Sequence, residues 1–439
     1  MQTNTKNQNT NHEGTVIQVI PPFIELKRAV MTTLLGENTF YESGQSVKAR
    51  ISELVHKCEF DAVLDLAIES KEQANLRHAP LLILKELAKH AGLKDFNNAK
   101  AYRNAIFRVC TRADDLTELL AMYWEGGRKP IAKQLKLGLA QAFTKFNEYA
   151  LGKYNRDKAV KLKDVLFMVH AKPKDTAQAE LWKRLIDNKL ATPDTWEVAL
   201  SAGKDKKETW TRLLNENKLG YLAVLRNLRN MRDVGVDDNL IKDKLINSKG
   251  KEKILPHQFI AAACVNPSLE NSINDALLEN LSNHEKLKGK TIILVDVSGS
   301  MESKLSEKSE MRLIEAGAGV AAICREICEQ VEIFAFSNDV REVPARQGMA
   351  LIDKLKSMLG GGTSLGKAID FLNTKDYDRI IVITDEQSSD KVQAPKGKGY
   401  IVNIAPYKMQ IGFGEWIRIN GFSQNLIKYI LEHEKEGIV

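Results

Sequence analysis

The chain has 439 residues, 43% of them hydrophobic, and a formal charge of +7, which is enough for two or three domains with sizeable cores. No apolar run approaches the roughly 18 to 20 residues that span a bilayer. The N-terminal MQTNTKNQNTNHEG also lacks the apolar stretch of a signal peptide, so membrane and secreted classes are set aside and a cytoplasmic protein is expected.

Residues 1–22 are expected to form a disordered tail, because Asn, Thr and Gln dominate the first fourteen or so and offer little to bury. From about Pro21 the pattern becomes helical. In SVKARISELVHKCEFDAVLDLA, Ile51, Leu54, Val55 and Cys58 recur at the three-and-four spacing of one helix face, and Val63, Leu64 and Leu66 continue after a break at Glu59 and Phe60. HAPLLILKELAKHAG follows, with Pro80 near its first turn and Gly92 at its close. KAYRNAIFRVCTRADDLTELLAMYWE, RKPIAKQLKLGLAQAFTKF and KETWTRLLNENKLGYLAVLRNLRNM keep the same character, separated by the breakers GGRKP, TPD, SAGKD and VGVDD. No alternating strand pattern interrupts residues 23–289. Medium helices with short connections predict stacked antiparallel pairs, an α-solenoid whose long surface suits an extended partner.

The basic surplus lies in this helical part. From Thr291 onward there are 18 Lys and Arg against 21 Asp and Glu, which leaves 46 against 36 upstream. Such a surplus suits a nucleic-acid partner and also a plain solvated surface. GGRKPIAKQLK, residues 126–136, is one basic cluster, and KYNRDKAVKLKDVLFMVHAKPK, residues 153–174, is another. Lysine and arginine there would neutralise phosphates. In LRNLRNM, Arg226, Asn227, Arg229 and Asn230 alternate with leucines and are read as a structural network ahead of an RNA contact.

Near Lys290 the texture changes. TIILVDVS, VEIFAFS, RIIVITDE and YIVNIAP read as strands buried on both faces, and MRLIEAGAGVAAICREICEQ reads as a helix between the first two, so residues 290–439 predict an open parallel sheet covered by helices. The five cysteines, Cys58, Cys110, Cys264, Cys324 and Cys328, are scattered and odd in number. Cys324 and Cys328, four apart in the predicted helix, are read as core residues and not metal ligands. Ligands of such sheets bind beyond the carboxyl ends of the strands. Three loops there carry oxygen donors: Asp296, Ser298 and Ser300 in DVSGS, Thr363 in GGGTS, and Asp385 in ITDEQ. Two carboxylates and three hydroxyls suit Mg2+ or a similar small divalent ion far better than zinc. Catalysis is not expected. The only histidine in this half is His433, too remote in sequence to be a local base for Ser298 or Ser300, and nothing in the spacing of Asp376, Asp378 and Glu386 recruits them.

The order Asp296, Ser298, Ser300, then Thr363, then Asp385 resembles the metal-ion-dependent adhesion site of von Willebrand factor A domains. That resemblance implies an α/β Rossmann-like fold and an ion whose open position takes an acidic side chain from a protein partner. Residues 195–231, TWEVALSAGKDKKETWTRLLNENKLGYLAVLRNLRNM, and the following KILPHQFIAA resemble the TROVE module of the Ro ribonucleoprotein family. With both parts in this order the chain resembles a bacterial or phage Ro-like protein over residues 23–439. The resemblance implies a HEAT-like helical-repeat ring ahead of the A domain. It also implies a monomer that binds small noncoding (Y-like) RNA on a basic surface and single-stranded ends of misfolded RNA, with a protein such as an exoribonuclease as a partner of the A domain.

By the same resemblance Lys153 and His170 fall on RNA-contacting positions. The family's intervening arginine aligns with Asp157, one residue after Arg156. Arg128, Lys129, Lys133, Lys136 and Lys172 complete the candidate RNA set, with His170 alternatively a core histidine. Two rival readings stand beside RNA binding: a protein-interaction adaptor that uses solenoid and A domain without RNA, and, more weakly, a metal-dependent RNA hydrolase.

Overall fold

A computed structural model describes residues 21–32, 44–254, 256–282, 285–304, 311–385, 388, 390–404, 415–420, 426, 430, 431, 433 and 434. The expected tail up to residue 20, and Glu386, lie outside the described residues. The chain forms two compact units. One comprises Pro21–Met31 and Gly44–Asp205, and the other contains the chain from Lys206 onward.

The first unit is built from helices in two rows. Phe60–Glu72, Phe96–Val109, Lys133–Phe143 and Leu162–Val169 pack one on the next in one row. Gly44–Val55, His78–Leu87, Ala113–Tyr123 and Glu148–Tyr154 do so in the other. Alternation between two rows is the packing of a helical-repeat stack, in which each unit buries its apolar face against the next. Local chemistry sets the ends. Asp95 Oδ1 accepts hydrogen bonds from the Asn97 and Asn98 amides, capping Phe96–Val109. Gly138 lets two helices of one row approach closely, since a Cβ there would meet Ile106 Cδ1 at 2.5 Å. Cys58, expected on the helix face of Ile51 to Val55, instead lies in the turn before Phe60, because helix Gly44–Val55 stops three residues short of it.

The second unit opens with helices Lys206–Asn215, Tyr221–Asp233, Asp238–Asn247, Pro256–Cys264 and Glu270–Ser282. A sheet follows, with strands β1 (Leu287–Asp296), β2 (Cys328–Phe336), β3 (Val340–Glu342), β4 (Arg379–Thr384), β5 (Lys398–Asn403) and β6 (Trp416–Asn420) in spatial order β3-β2-β1-β4-β5-β6. All neighbours are parallel except β2 and β3. The helix Leu313–Ile327 packs on β1 and β4 and on the preceding helices Pro256–Cys264 and Glu270–Ser282, so the last helices of the helical region share a compact unit with the sheet. On another face Leu365, Ala368, Ile369 and Leu372 pack against Ile292, Leu294, Phe334, Ile380 and Val382. Burial on both faces explains the unbroken apolar runs of β1 and β4. Cys324 is buried in the helix and Cys328 is buried as the first residue of β2, as expected for core thiols.

Candidate metal site and candidate RNA-binding surface

The chain runs from β1 outward to β2 and β3, then returns to the other side of β1 for β4. The switch in strand order therefore falls between β1 and β4, where the carboxyl ends leave a crevice. Val295 pairs with Ile383, so Asp296, the last residue of β1, and Asp385, just past β4, share that edge. Asp296 and Asp385 are both 0% exposed, and Ser298 is 1% exposed. Ser298 N–H donates to Asp296 Oδ1 at 2.8 Å and Thr384 Oγ1 donates to Asp296 Oδ2 at 2.7 Å. The Ser298 and Ser300 hydroxyls lie 3.1 Å apart. Thr363 is carried by a loop stapled to this turn. Gly360 N–H donates to Val297 O at 2.8 Å, and Gly299 N–H donates to Gly361 O at 3.0 Å. Gly360 and Gly361 take φ of 134° and 92°, a backbone that only glycine adopts without strain, which is what the GGG run supplies.

Burial pushes the Asp296 carboxyl up to about 7, with the charge of Asp385 as the next cause, against the bonds from Ser298 and Thr384 that pull it down. No lysine or arginine among the described residues makes an ion pair with Asp296. Two buried carboxylates repelling each other, with the Ser298 and Ser300 hydroxyls on the adjoining turn and Thr363 on the loop tied to it, are hard oxygen donors of the kind that could hold a small cation with water completing its shell. Among the described residues no group of three or more His, Cys, Asp or Glu side chains converges to hold a metal ion. His433 lies by Glu434, which pairs with Arg379 at the start of β4, the opposite edge from Asp385. Asp390 was not legible in the sequence. Its carboxylate accepts from Gly366 N–H at 2.8 Å, Lys367 N–H at 3.0 Å and Ser388 Oγ at 2.8 Å. The segment after Asp385 is thereby tied to the helix that follows Thr363.

The candidate RNA residues all fall in the first unit. Arg128, Lys133, Arg156, His170 and Lys172 are exposed, and Lys129, Lys136 and Lys153 are half-buried. Among the described residues none of the eight makes an ion pair. Neighbouring cations do: Lys161 with Asp157, Lys158 with Glu118 and Arg112 with Asp114. Arg128 and Lys129 lie over the rings of Trp124 and Tyr123, at 5.4 and 4.6 Å from the ring centres. His170 is not a core histidine, since it is exposed and ends helix Leu162–Val169 in a left-handed conformation with φ of 52°. Asp157, in the place of the resembled family's arginine, pairs with Lys161 and leaves Arg156 exposed and without an ion pair. In the second unit Asn227 is buried, donating to Ala223 O and accepting from Asn230, as a structural network requires. Arg226 and Arg229 are exposed.

The TROVE domain profile matches residues 183–315, and the Ro60 vWA domain profile matches residues 290–397. The chain thus carries a TROVE domain followed by a Ro60 vWA domain. The family profiles that match begin at residue 183, so they take in the sheet-edge residues from Asp296 to Asp385 and leave the eight candidate RNA residues, all between 128 and 172, outside them. The crystal structure of the RO (RSR) protein of Deinococcus radiodurans shares the fold, with a TM-score of 0.68 over 94% of this chain and 100% of that one at 18% identity. Telomerase protein component 1 of Mus musculus is 33% identical over 79 residues, which is 17% of this chain and spans only 3% of that relative. The Ro60 vWA match falls on the mixed α/β sheet with Asp296 and Asp385 at its edge. Among the described residues no helix is long and apolar enough to cross a membrane.

Proposed function

We propose that this chain is a noncatalytic, Ro-like RNA-binding protein. Its first unit holds small noncoding, Y-like RNA and single-stranded ends of misfolded RNA through Arg128, Lys129, Lys133, Lys136, Lys153, Arg156, His170 and Lys172. Its sheet edge docks a protein partner's carboxylate through Mg2+ bound by Asp296, Ser298, Ser300, Thr363 and Asp385. The observation that carries the reading is the set of eight basic side chains without an ion pair among the described residues, beside basic neighbours that have one. Phosphates supply the missing countercharge, and release of their condensed counterions drives affinity. At the sheet edge the fit of hydroxyls and repelling carboxylates to a hard cation supports metal binding, and the distance in the fold between that edge and His433 supports docking over hydrolysis.

The test is to purify the protein from its own cells, identify copurifying RNA, and titrate that RNA at several salt concentrations. RNA bound with an affinity that falls steeply with salt is expected. Protein that carries no RNA, and binds structured or single-stranded RNA no better than a neutral control, overturns the reading and favours a protein-only adaptor.

A further inference from the structure

Seven contacts between a cation and an aromatic ring fall between Phe107 and Tyr154, with only Lys375 making others among the described residues. Significant contacts of this kind occur roughly once per 70 to 80 residues, so the concentration is local to one stretch of the first unit. Lys145 accounts for two of them but is structural, because it is part-buried and donates to Phe107 O. The remainder includes an alternating stack. The Arg112 guanidinium lies 4.5 Å from the centre of the Tyr154 ring, and Lys153 Nζ lies 5.8 Å from Tyr154 and 5.8 Å from Tyr149. The inner end is fixed, since Arg112 forms a two-point pair with Asp114 at 2.9 and 2.8 Å. At the outer end the Tyr149 ring is 50% exposed.

We propose that Tyr149 is a stacking platform for an unpaired base of single-stranded RNA, with Lys153 beside it holding an adjoining phosphate. This rests on the RNA-binding reading above and adds the form of RNA this face takes. A half-open ring whose neighbouring ammonium lacks a carboxylate pairs a π face with a positive charge. Single strands offer both complements together, a free base face and a phosphate, whereas a duplex hides its base faces in its own stack. Helix Glu148–Tyr154 places Tyr149 and Lys153 four residues apart, hence on one face. Asn147 Oδ1 caps that helix by accepting from Ala150 N–H at 2.9 Å.

The experiment uses the full chain, a labelled single-stranded RNA and the same sequence as a blunt duplex, with affinities measured by fluorescence anisotropy at several salt concentrations. Tyr149→Ala is expected to weaken single-strand binding at least about fivefold, leave duplex binding unchanged and leave the salt slope unchanged. Tyr149→Phe is expected to bind as the unaltered protein does, and Lys153→Ala to lower the single-strand salt slope by about 0.7. Circular dichroism melts confirm that each variant is folded. If the unaltered protein binds the single strand and Tyr149→Ala binds it equally well, or Tyr149→Phe is as weak as Tyr149→Ala, the platform is wrong. If the unaltered protein binds neither RNA, it is the RNA reading itself that fails.

Discussion

The two candidate sites are electrostatic opposites. Among the described residues, the eight candidate cations of the first unit make no ion pair with a carboxylate, and at the sheet edge of the second unit the buried Asp296 makes none with a cationic side chain. The difference in burial decides what each costs. Exposed lysines and arginines stay hydrated, so leaving them without an ion pair changes folding stability little. Asp296 is fully buried beside a second carboxyl, so its charge is unfavourable until something positive arrives. The first site should therefore announce itself in the salt dependence of binding, and the second in the pH dependence of stability.

The strongest break of this comparison is the combined variant Lys133→Ala, Lys136→Ala, Lys153→Ala and Arg156→Ala. With four phosphate contacts removed, RNA affinity at low salt is expected to fall by about a hundredfold or more and the salt slope by about 3. The melting temperature should stay within about 2 °C, because none of the four makes an ion pair. Filter binding across a salt series, together with a thermal melt, checks both. Unchanged affinity in a folded variant would remove this surface as the RNA site.

The second break is Asp296→Asn, where the sign follows from the raised carboxyl. A group whose pKa is higher folded than unfolded contributes stability in full below about pH 4, and that contribution is lost as pH rises toward about 7. Metal-free protein should thus lose stability between about pH 4 and 7, and Mg2+ should restore it most at pH 8, where the carboxylate is ionised. Asp296→Asn should flatten that profile, stabilise the metal-free protein at pH 8 by about 2 kcal/mol, and abolish the response to Mg2+ while RNA binding persists. Melts across pH with and without Mg2+ decide it; a variant that still responds to Mg2+ as before would place the ion elsewhere.

What the sequence showed and hid follows the same division. The sheet was legible because strands buried on both faces must be continuous apolar runs, and the order Asp296, Ser298, Ser300, Thr363, Asp385 fixed its edge. The helical region was legible as helices, since Ile51, Leu54 and Val55 keep a helical period. Where a helix stops was less so, because Cys58 is apolar enough to continue the pattern through a turn. Side chains acting across the fold stayed hidden. Thr384 and Asp390 meet their partners 88 and 24 residues away, and neither separation leaves a local signature. Tyr149 could have been noticed from the spacing Tyr149, Lys153, Tyr154 within a basic stretch, but half-exposure of its ring is a property of packing. His170 needed the structure too, since a histidine after an apolar helix reads equally as core or as surface.

The smallest expected effect sharpens the metal side through Asp390, whose carboxylate is hydrogen-bonded to Gly366, Lys367 and Ser388. Burial pushes its carboxyl up, but the bonds from Gly366, Ser388 and Lys367 outweigh that and hold it below its usual value. Its stabilising contribution is therefore present at neutral pH and lost only as pH falls below about 4, the reverse of Asp296. Asp390→Asn removes a negative charge from the start of helix Leu365–Leu372 and one of two acceptors there, at a cost of about 1 kcal/mol. Because the same carboxylate ties the segment after Asp385 to the helix after Thr363, loosening it should also weaken Mg2+ binding by about tenfold at pH 8, as supporting contacts around a metal typically do. Isothermal titration with Mg2+ separates the two effects. A variant less stable by that amount but with undiminished Mg2+ affinity would make Asp390 a helix cap alone, whereas weaker affinity with RNA binding intact would show that the sheet edge is held in shape by a residue outside the five candidate ligands.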